Sequence, residues 1–163
     1  MTVVELGPED VTRYLKLRTD GLRTNPEAFR VTVRDDKALT EAAWRDRLAR
    51  DFVVGVSPDE TLVGIGGLSR FVGEKLSHKG LIWGMYVAPE ARGSGAADLI
   101  MTALLGHAQS RFRQVQLTVM ADNARARRFY ERHGFAVYGV EPDSVRRDGE
   151  VFAEALMWRR LQS

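Results

Sequence analysis

An α+β fold, a mixed and mostly antiparallel sheet of six to seven strands carrying about four helices, is what this 163-residue sequence predicts. Three observations lead there. Short β-rich runs with period-2 alternation recur along the chain, and between them lie longer segments whose apolar residues return every three to four positions. These runs and segments succeed one another as β-α-α-β-β-β-α-β-α-β-β, an order in which turn-linked strands pair antiparallel. Apolar residues make up 44% of the chain, enough for a core in a domain of this length, which buries roughly two-thirds of its unfolded surface. With no repeat, low-complexity tract or linker-like stretch, residues 1–163 are expected to form one domain.

The elements follow in order. Residues 2–6 read as a short strand ended by Gly7 and Pro8. Pro8, Glu9 and Asp10 then open a helix with proline and acids in its first turn. It gathers Val11, Tyr14, Leu15, Leu17 and Leu22 on one side and stops near Thr24, before Pro26. A second helix follows Thr40 as N-cap and buries Ala43, Trp44 and Leu48. Residues 52–56 and 61–69 form a hairpin across Ser57-Pro58-Asp59-Glu60. Inside it, Gly64-Ile65-Gly66-Gly67 reads as a bulge or a close backbone contact. Residues 80–87 are a long strand closed by Ala88 and Pro89, and a third helix runs from about residue 95 to 112. Residues 114–120 put Val115, Leu117 and Val119 on one strand face. The fourth helix, after Asn123, buries Ala126, Phe129, Tyr130 and His133 and ends at Gly134. Residues 136–140 and 150–158 close the chain as two strands, with a turn at Asp148-Gly149.

Composition removes several chemistries. Cysteine is absent, which excludes disulfides, thiolate metal sites and a cysteine nucleophile. The three histidines, His78, His107 and His133, are too scattered to suggest a metal centre. Twenty-four basic residues nearly balance twenty-two acidic ones. Residues 1–60 carry ten basic and twelve acidic groups and residues 61–163 fourteen and ten, a mild bias that suits an anionic ligand but does not bind nucleic acid unaided. No apolar run approaches the roughly 18 residues of a membrane span, and residues 1–5 lack the pattern of a signal peptide. A cytoplasmic protein without nucleic-acid or membrane partners is expected.

Two segments carry chemistry. In Arg92-Gly93-Ser94-Gly95-Ala96-Ala97 a strand passes through glycines into a helix. Missing Cβ atoms let backbone N–H groups converge there, and the helix start adds unsatisfied amides and a positive dipole end. That combination suits a phosphate or diphosphate, although a glycine turn of this kind also serves close helix–sheet packing. No Gly-Lys-Ser/Thr ending and no GxGxxG pattern is present. The second segment spaces Asn123, Ala126, Tyr130, Gly134 and Phe135 along a helix, with Asn123 as N-cap and Gly134-Phe135 as a C-terminal cap. A phenol on a buried stripe wants a partner for its hydroxyl, so Tyr130 is either packing or a working group.

In this order and spacing, the two segments resemble the GNAT superfamily of N-acetyltransferases, whose acyl-CoA signature [Q/R]-x-x-G-x-[G/A] is matched by residues 92–97. Asn25-Pro26-Glu27-Ala28-Phe29 and Tyr138-Gly139-Val140-Glu141-Pro142 are similar to bacterial members, so the likeness spans nearly the whole chain. The resemblance implies a sheet splayed between its fourth and fifth strands and acetyl-CoA as co-substrate. It implies that Met85, Tyr86 and Val87 pair with pantetheine and that Arg92, Gly93, Ser94, Gly95, Ala96 and Ala97 wrap the diphosphate. Asn123 would cap its helix and bond the pantetheine arm, and Tyr130 would protonate or hydrogen-bond the leaving thiolate. The acceptor is expected to be a small-molecule or peptide amine, and a homodimer is left open.

A general base is not assigned. Some relatives carry a glutamate on the strand before the signature turn, where Leu81-Ile82-Trp83-Gly84-Met85 offers none. Glu27, Glu74, His78 and Glu154 are the candidates, each also readable as an ordinary surface or strand residue. Arg125, Arg127, Arg128 and Arg132 make the fourth helix basic, either a solvated face or a reach toward the 3′-phosphate of CoA. Phe29, Trp44 and the second helix are expected to line the acceptor side.

Overall fold

The computed structural model describes residues 1–161. Its strands are β1 (Thr2–Glu5), β2 (Phe52–Ser57), β3 (Gly64–Arg70), β4 (Lys79–Val87), β5 (Gln114–Met120), β6 (Ala136–Arg147) and β7 (Glu150–Arg160). They form one sheet in the order β1-β2-β3-β4-β5-β7-β6. Each neighbouring pair is antiparallel except β4 with β5. The helices are α1 (Val11–Thr24), α2 (Val33–Ala38), α3 (Glu41–Arg50), α4 (Ala96–Gln109) and α5 (Ala124–Arg132). None is long and apolar enough, among the described residues, to cross a membrane.

Alternation along the strands sends side chains to two cores. On one face α4 lays Ile100, Met101, Leu104 and Ala108 against Val54, Val56, Leu68, Val115, Leu117 and Met157. On the other, α1 and α3 bring Val11, Tyr14, Leu17, Trp44 and Leu48 onto Val53, Ile65 and Tyr86. Full burial of one such aliphatic side chain contributes about 1.5–3 kcal/mol, so these two layers hold the sheet that positions everything below.

Among the described residues five α-helices stand where the sequence predicted about four. The extra one, α2, has charged residues at its four central positions and offers no apolar stripe; Thr32 caps it by accepting from the Asp35 N–H at 3.2 Å. Its purpose is visible in the fold. It delivers Asp36 to Arg18 of α1, whose Nε and Nη2 meet the carboxylate at 2.5 and 3.1 Å, with both residues buried. The guanidinium lies over the rings of Trp44 and Phe29 at 4.9 and 5.3 Å, so the charge is satisfied by a fork and two π faces.

The sheet is splayed between β4 and β5. Their pairing covers only Lys79 to Leu81 against Gln114 to Gln116; beyond Leu81 the β4 edge has no strand beside it. A bulge accompanies the opening. The β3–β4 register shifts between Ile65 and Gly67, so that Gly84 and Met85 together oppose Gly66. The extra residue thus sits on the strand facing Gly64-Ile65-Gly66-Gly67, and Gly66 supplies the close packing instead, against Ile100 and Met85. Gly84 has φ of +63°, and a Cβ there would stand 3.2 Å from Arg18 Nη1, two reasons for glycine at the kink.

Candidate active site

At the carboxyl end of β4 the chain makes a single 3-10 turn (Pro89–Ala91) and bends into α4. Gly93 and Gly95 adopt φ of +77° and +88°, conformations that a residue with a Cβ resists. The bend is closed from within by Ser94, whose hydroxyl donates to the Ala91 carbonyl at 2.5 Å and accepts from the Ala96 N–H at 3.4 Å. Among the described residues, the amides of Gly93, Gly95, Ala97 and Asp98 have no hydrogen-bond partner. Four free donors at a helix start form an anion-binding concavity.

That bend borders a cleft of about 850 Å³ between the starts of α4 and α5. Of the residues singled out in the sequence, Met85, Tyr86, Val87, Arg92, Gly93, Gly95, Ala96, Ala97 and Asn123 line it; Ser94 does not. The ring of Tyr86 itself belongs to the core, 5.9 Å from Phe29. Arg92 lies across the open edge of β4, donating from Nη2 to Asn25 Oδ1 at 2.8 Å and from Nε to the Val87 carbonyl at 3.3 Å. Arg125, Arg128 and Arg132 of α5 also border the cleft, whereas Arg127 turns away and donates to the Ala121 carbonyl. Asp98 bridges the two helices: one carboxylate oxygen meets Arg132 at 3.0 Å and His133 Nε2 at 2.8 Å.

A second cavity, of about 120 Å³, opens off the first and shares Glu27, Ala28, Met85, Asn123 and Ala126 with it. Tyr130 lines this inner space. Two features of α5 hold it there: the Asn123 side chain accepts from the Ala126 N–H at 3.1 Å, and Phe135 closes the helix by donating its N–H to the Tyr130 carbonyl at 3.1 Å. The residues predicted to be buried on α5 are only half-buried: Ala126, Phe129 and Tyr130 pack against the core on one side and border the two cavities on the other. Burial pushes the Tyr130 phenol up to about 12, and its hydroxyl has no hydrogen-bond partner among the described residues. A neutral donor is therefore presented to the cavity.

The candidate bases separate cleanly. Glu74 and His78 precede β4, at the end opposite the cavities, and line neither. Glu27 lies where the two spaces meet. Desolvation works to raise its carboxyl, but the Asn25 side chain, its own backbone N–H, Arg147 and Arg92 outweigh that and hold it below the ordinary value. Glu154 of β7 lines the inner cavity and is 3% exposed. Its Oε1 accepts from Ser144 Oγ at 2.5 Å and pairs with Arg30 Nε at 3.1 Å. Phe29 lines the same cavity, but Trp44 is only 2% exposed, packed on Tyr14 in the core, and so takes no part in the acceptor side. Arg30 and Thr118 complete the polar lining and carried no sequence signal.

Comparisons with known proteins identify the family and the fold. The sequence profile of the Acetyltransferase (GNAT) family matches residues 18–135. The curated mycothiol acetyltransferase of Kocuria rhizophila is 31% identical over 147 residues, covering 85% of this chain; the chain spans about half (48%) of that relative. Among solved structures, phosphinothricin acetyltransferase from Sinorhizobium meliloti in complex with AcCoA superposes with a TM-score of 0.83 at 19% identity, covering 99% of this chain and 88% of that one. The yncA protein of Salmonella typhimurium, solved with its cofactor acetyl-CoA, gives 0.84 at 17% identity, covering 100% and 95%. These two show the fold, and the profile match shows the lineage: the chain belongs to the acetyltransferase (GNAT) family.

Proposed function

We propose that this chain transfers an acetyl group from acetyl-CoA to a primary amine, by direct attack in a ternary complex. The observation that carries the reading is the continuity of the amide-lined bend, the unpaired edge of β4 and the cavity holding Tyr130. The free amides of Gly93, Gly95, Ala97 and Asp98, with Arg92 beside them, suit a diphosphate. No Cβ crowds the approach at Gly93 or Gly95, where nothing lies within 4 Å of the added atom. The open edge around Met85, Tyr86 and Val87 offers backbone groups to the pantetheine amides in the manner of an added strand.

A thioester laid along that edge ends near Met85, Asn123 and Ala126, where the inner cavity begins. There the amine nitrogen, attacking as the neutral base, forms its bond to the acetyl carbon as the carbon–sulfur bond breaks, and the N–H proton it gives up passes to solvent while the departing thiolate gains one. An amide of β4 near Met85, Tyr86 or Val87 stabilises the charge developing on the carbonyl oxygen. Tyr130 faces the departing sulfur. A thiol titrates near ~8.5, well below about 12, so Tyr130 keeps its proton until sulfur takes up charge and serves first as a hydrogen-bond donor. With no cysteine in the chain, direct transfer is the simpler path than a covalent acyl-enzyme.

Calorimetry with acetyl-CoA, followed by thiol release across a panel of primary amines, tests the reading. Micromolar binding together with thiol release on at least one amine is expected. Binding with no turnover on any acceptor would instead make the chain an acyl-CoA-binding module, and absence of binding would remove the proposal.

A further inference from the structure

The inner cavity contains a buried acid whose partners do not exhaust it. Along β7, Ala155 and Met157 face the core shared with α4, while Glu154 falls on the opposite face with the half-exposed Leu156 and Trp158. Glu154 is nevertheless as buried as the core. Its Oε1 is held by Ser144 and Arg30, but Oε2 has no partner among the described residues, and Glu154 forms part of the cavity wall. A buried carboxylate left half-satisfied marks a place where a donor is missing.

We propose that Glu154 forms an anionic subsite selecting a small alkylammonium as acetyl acceptor, with Arg30 as a counter-ion that the incoming ammonium displaces. This deepens the acetyltransferase reading and rests on it for what happens to the bound amine. Arg30 is suited to leaving. Its side chain is 56% exposed, it comes from the short segment between Phe29 and α2, and its Nε stands 3.1 Å from Glu154 Oε1. Glu27 adds a second carboxylate at the cavity's junction with the cleft, so two acids face one replaceable base. Phe29, Met85 and Met120 provide an apolar wall for the carbon chain. At about 30 Å³ per water-sized group, a space of about 120 Å³ holds an amine of about four heavy atoms.

Titration of the full chain with n-propylammonium chloride, and in parallel with sodium propionate, tests this at matched ionic strength. Shifts of the Met85 and Met120 methyl and Thr118 amide resonances are the readout. Saturable shifts with propylammonium and none with propionate are expected. Glu154→Gln, which keeps the shape and an acceptor for Ser144, should weaken that binding about tenfold, while Arg30→Ala should tighten it about threefold. Preference for propionate, or unchanged affinity in Glu154→Gln, overturns the proposal. If Glu154→Gln does not fold, Arg30→Ala decides alone, and unchanged or weaker propylammonium binding sinks the idea. Acetyl-CoA calorimetry on the same samples separates the two readings. Acetyl-CoA binding without propylammonium binding removes only the subsite, whereas the reverse removes the transfer reading and leaves the subsite standing.

Discussion

The two connected cavities are built on opposite charge. The large cleft presents free amides at the α4 start with Arg92, Arg125 and Arg128; of its two acids, Asp98 is already engaged by Arg132 and His133, and Glu27 stands at the junction with the inner cavity. The inner cavity presents Glu27 and Glu154 against a single Arg30. They meet at Met85, Asn123 and Ala126, so a polyanionic donor and a cationic acceptor would each be drawn to its own chamber and meet at the boundary. On the proposed function, the contrast teaches that such a site would sort its two reactants by sign before it sorts them by shape.

Four perturbations would break or sharpen that contrast. The largest effect belongs to Arg92→Glu, which reverses charge at the bend. Acetyl-CoA affinity by calorimetry should fall more than about a hundredfold, since a contact to a charged group is lost and repulsion added; an unchanged Kd would detach the bend from the donor. Next, Tyr130→Phe acts at the boundary. Turnover should drop about thirtyfold with acetyl-CoA Kd held within about twofold, and a Kd that moved as much as kcat would make Tyr130 a packing residue.

The same phenol links the inner cavity to stability. A folded value near 12 against roughly 10 unfolded means the stabilisation is complete below pH 10 and is lost as pH rises through 12. Urea unfolding of the native chain should therefore lose on the order of 2 kcal/mol more than Tyr130→Phe between those pH values. Tyr14 is also raised, chiefly by burial, but is present in both proteins and cancels. Equal losses would mean that the Tyr130 hydroxyl is wet. The smallest effect is expected of Arg128→Ala on the outer rim: about a fivefold loss for acetyl-CoA that disappears with the 3′-dephospho cofactor. A loss that persists without the 3′-phosphate would place Arg128 elsewhere on the donor.

Much of the frame was legible because apolar period reports directly on packing. Val115, Leu117 and Val119 alternate, and Ala96 and Ile100 stand one helical turn apart; both sets are core. The bend was legible for another reason, since glycines at 93 and 95 permit the left-handed backbone that turns a strand into a helix. Where a contact is long-range and polar, period says nothing. The α2 segment has no stripe and is anchored through Asp36 to a residue eighteen positions away. The β6 strand was expected to stop at 140 and runs to Arg147, because Pro142 sits in an irregular stretch between Glu141 and Val145 at the sheet edge, where Asp143 takes φ of +48°. Glu154 was ambiguous in principle: alternation tells which face a side chain takes, not whether that face meets bulk water or a cavity. Trp44 was misassigned because a helix's apolar stripe points to whatever it packs on, here Tyr14 and the Arg18 guanidinium.

The Asp98 bridge has a kinetic corollary. By tying the first turn of α4 to the end of α5, it holds together the two helices that border the cleft in advance of any visitor. A nucleotide arriving there need not draw separate elements together, so little ordering entropy is spent on capture and the association rate should approach the electrostatically steered encounter limit. Loosening the bridge would then show itself as slow arrival rather than fast departure.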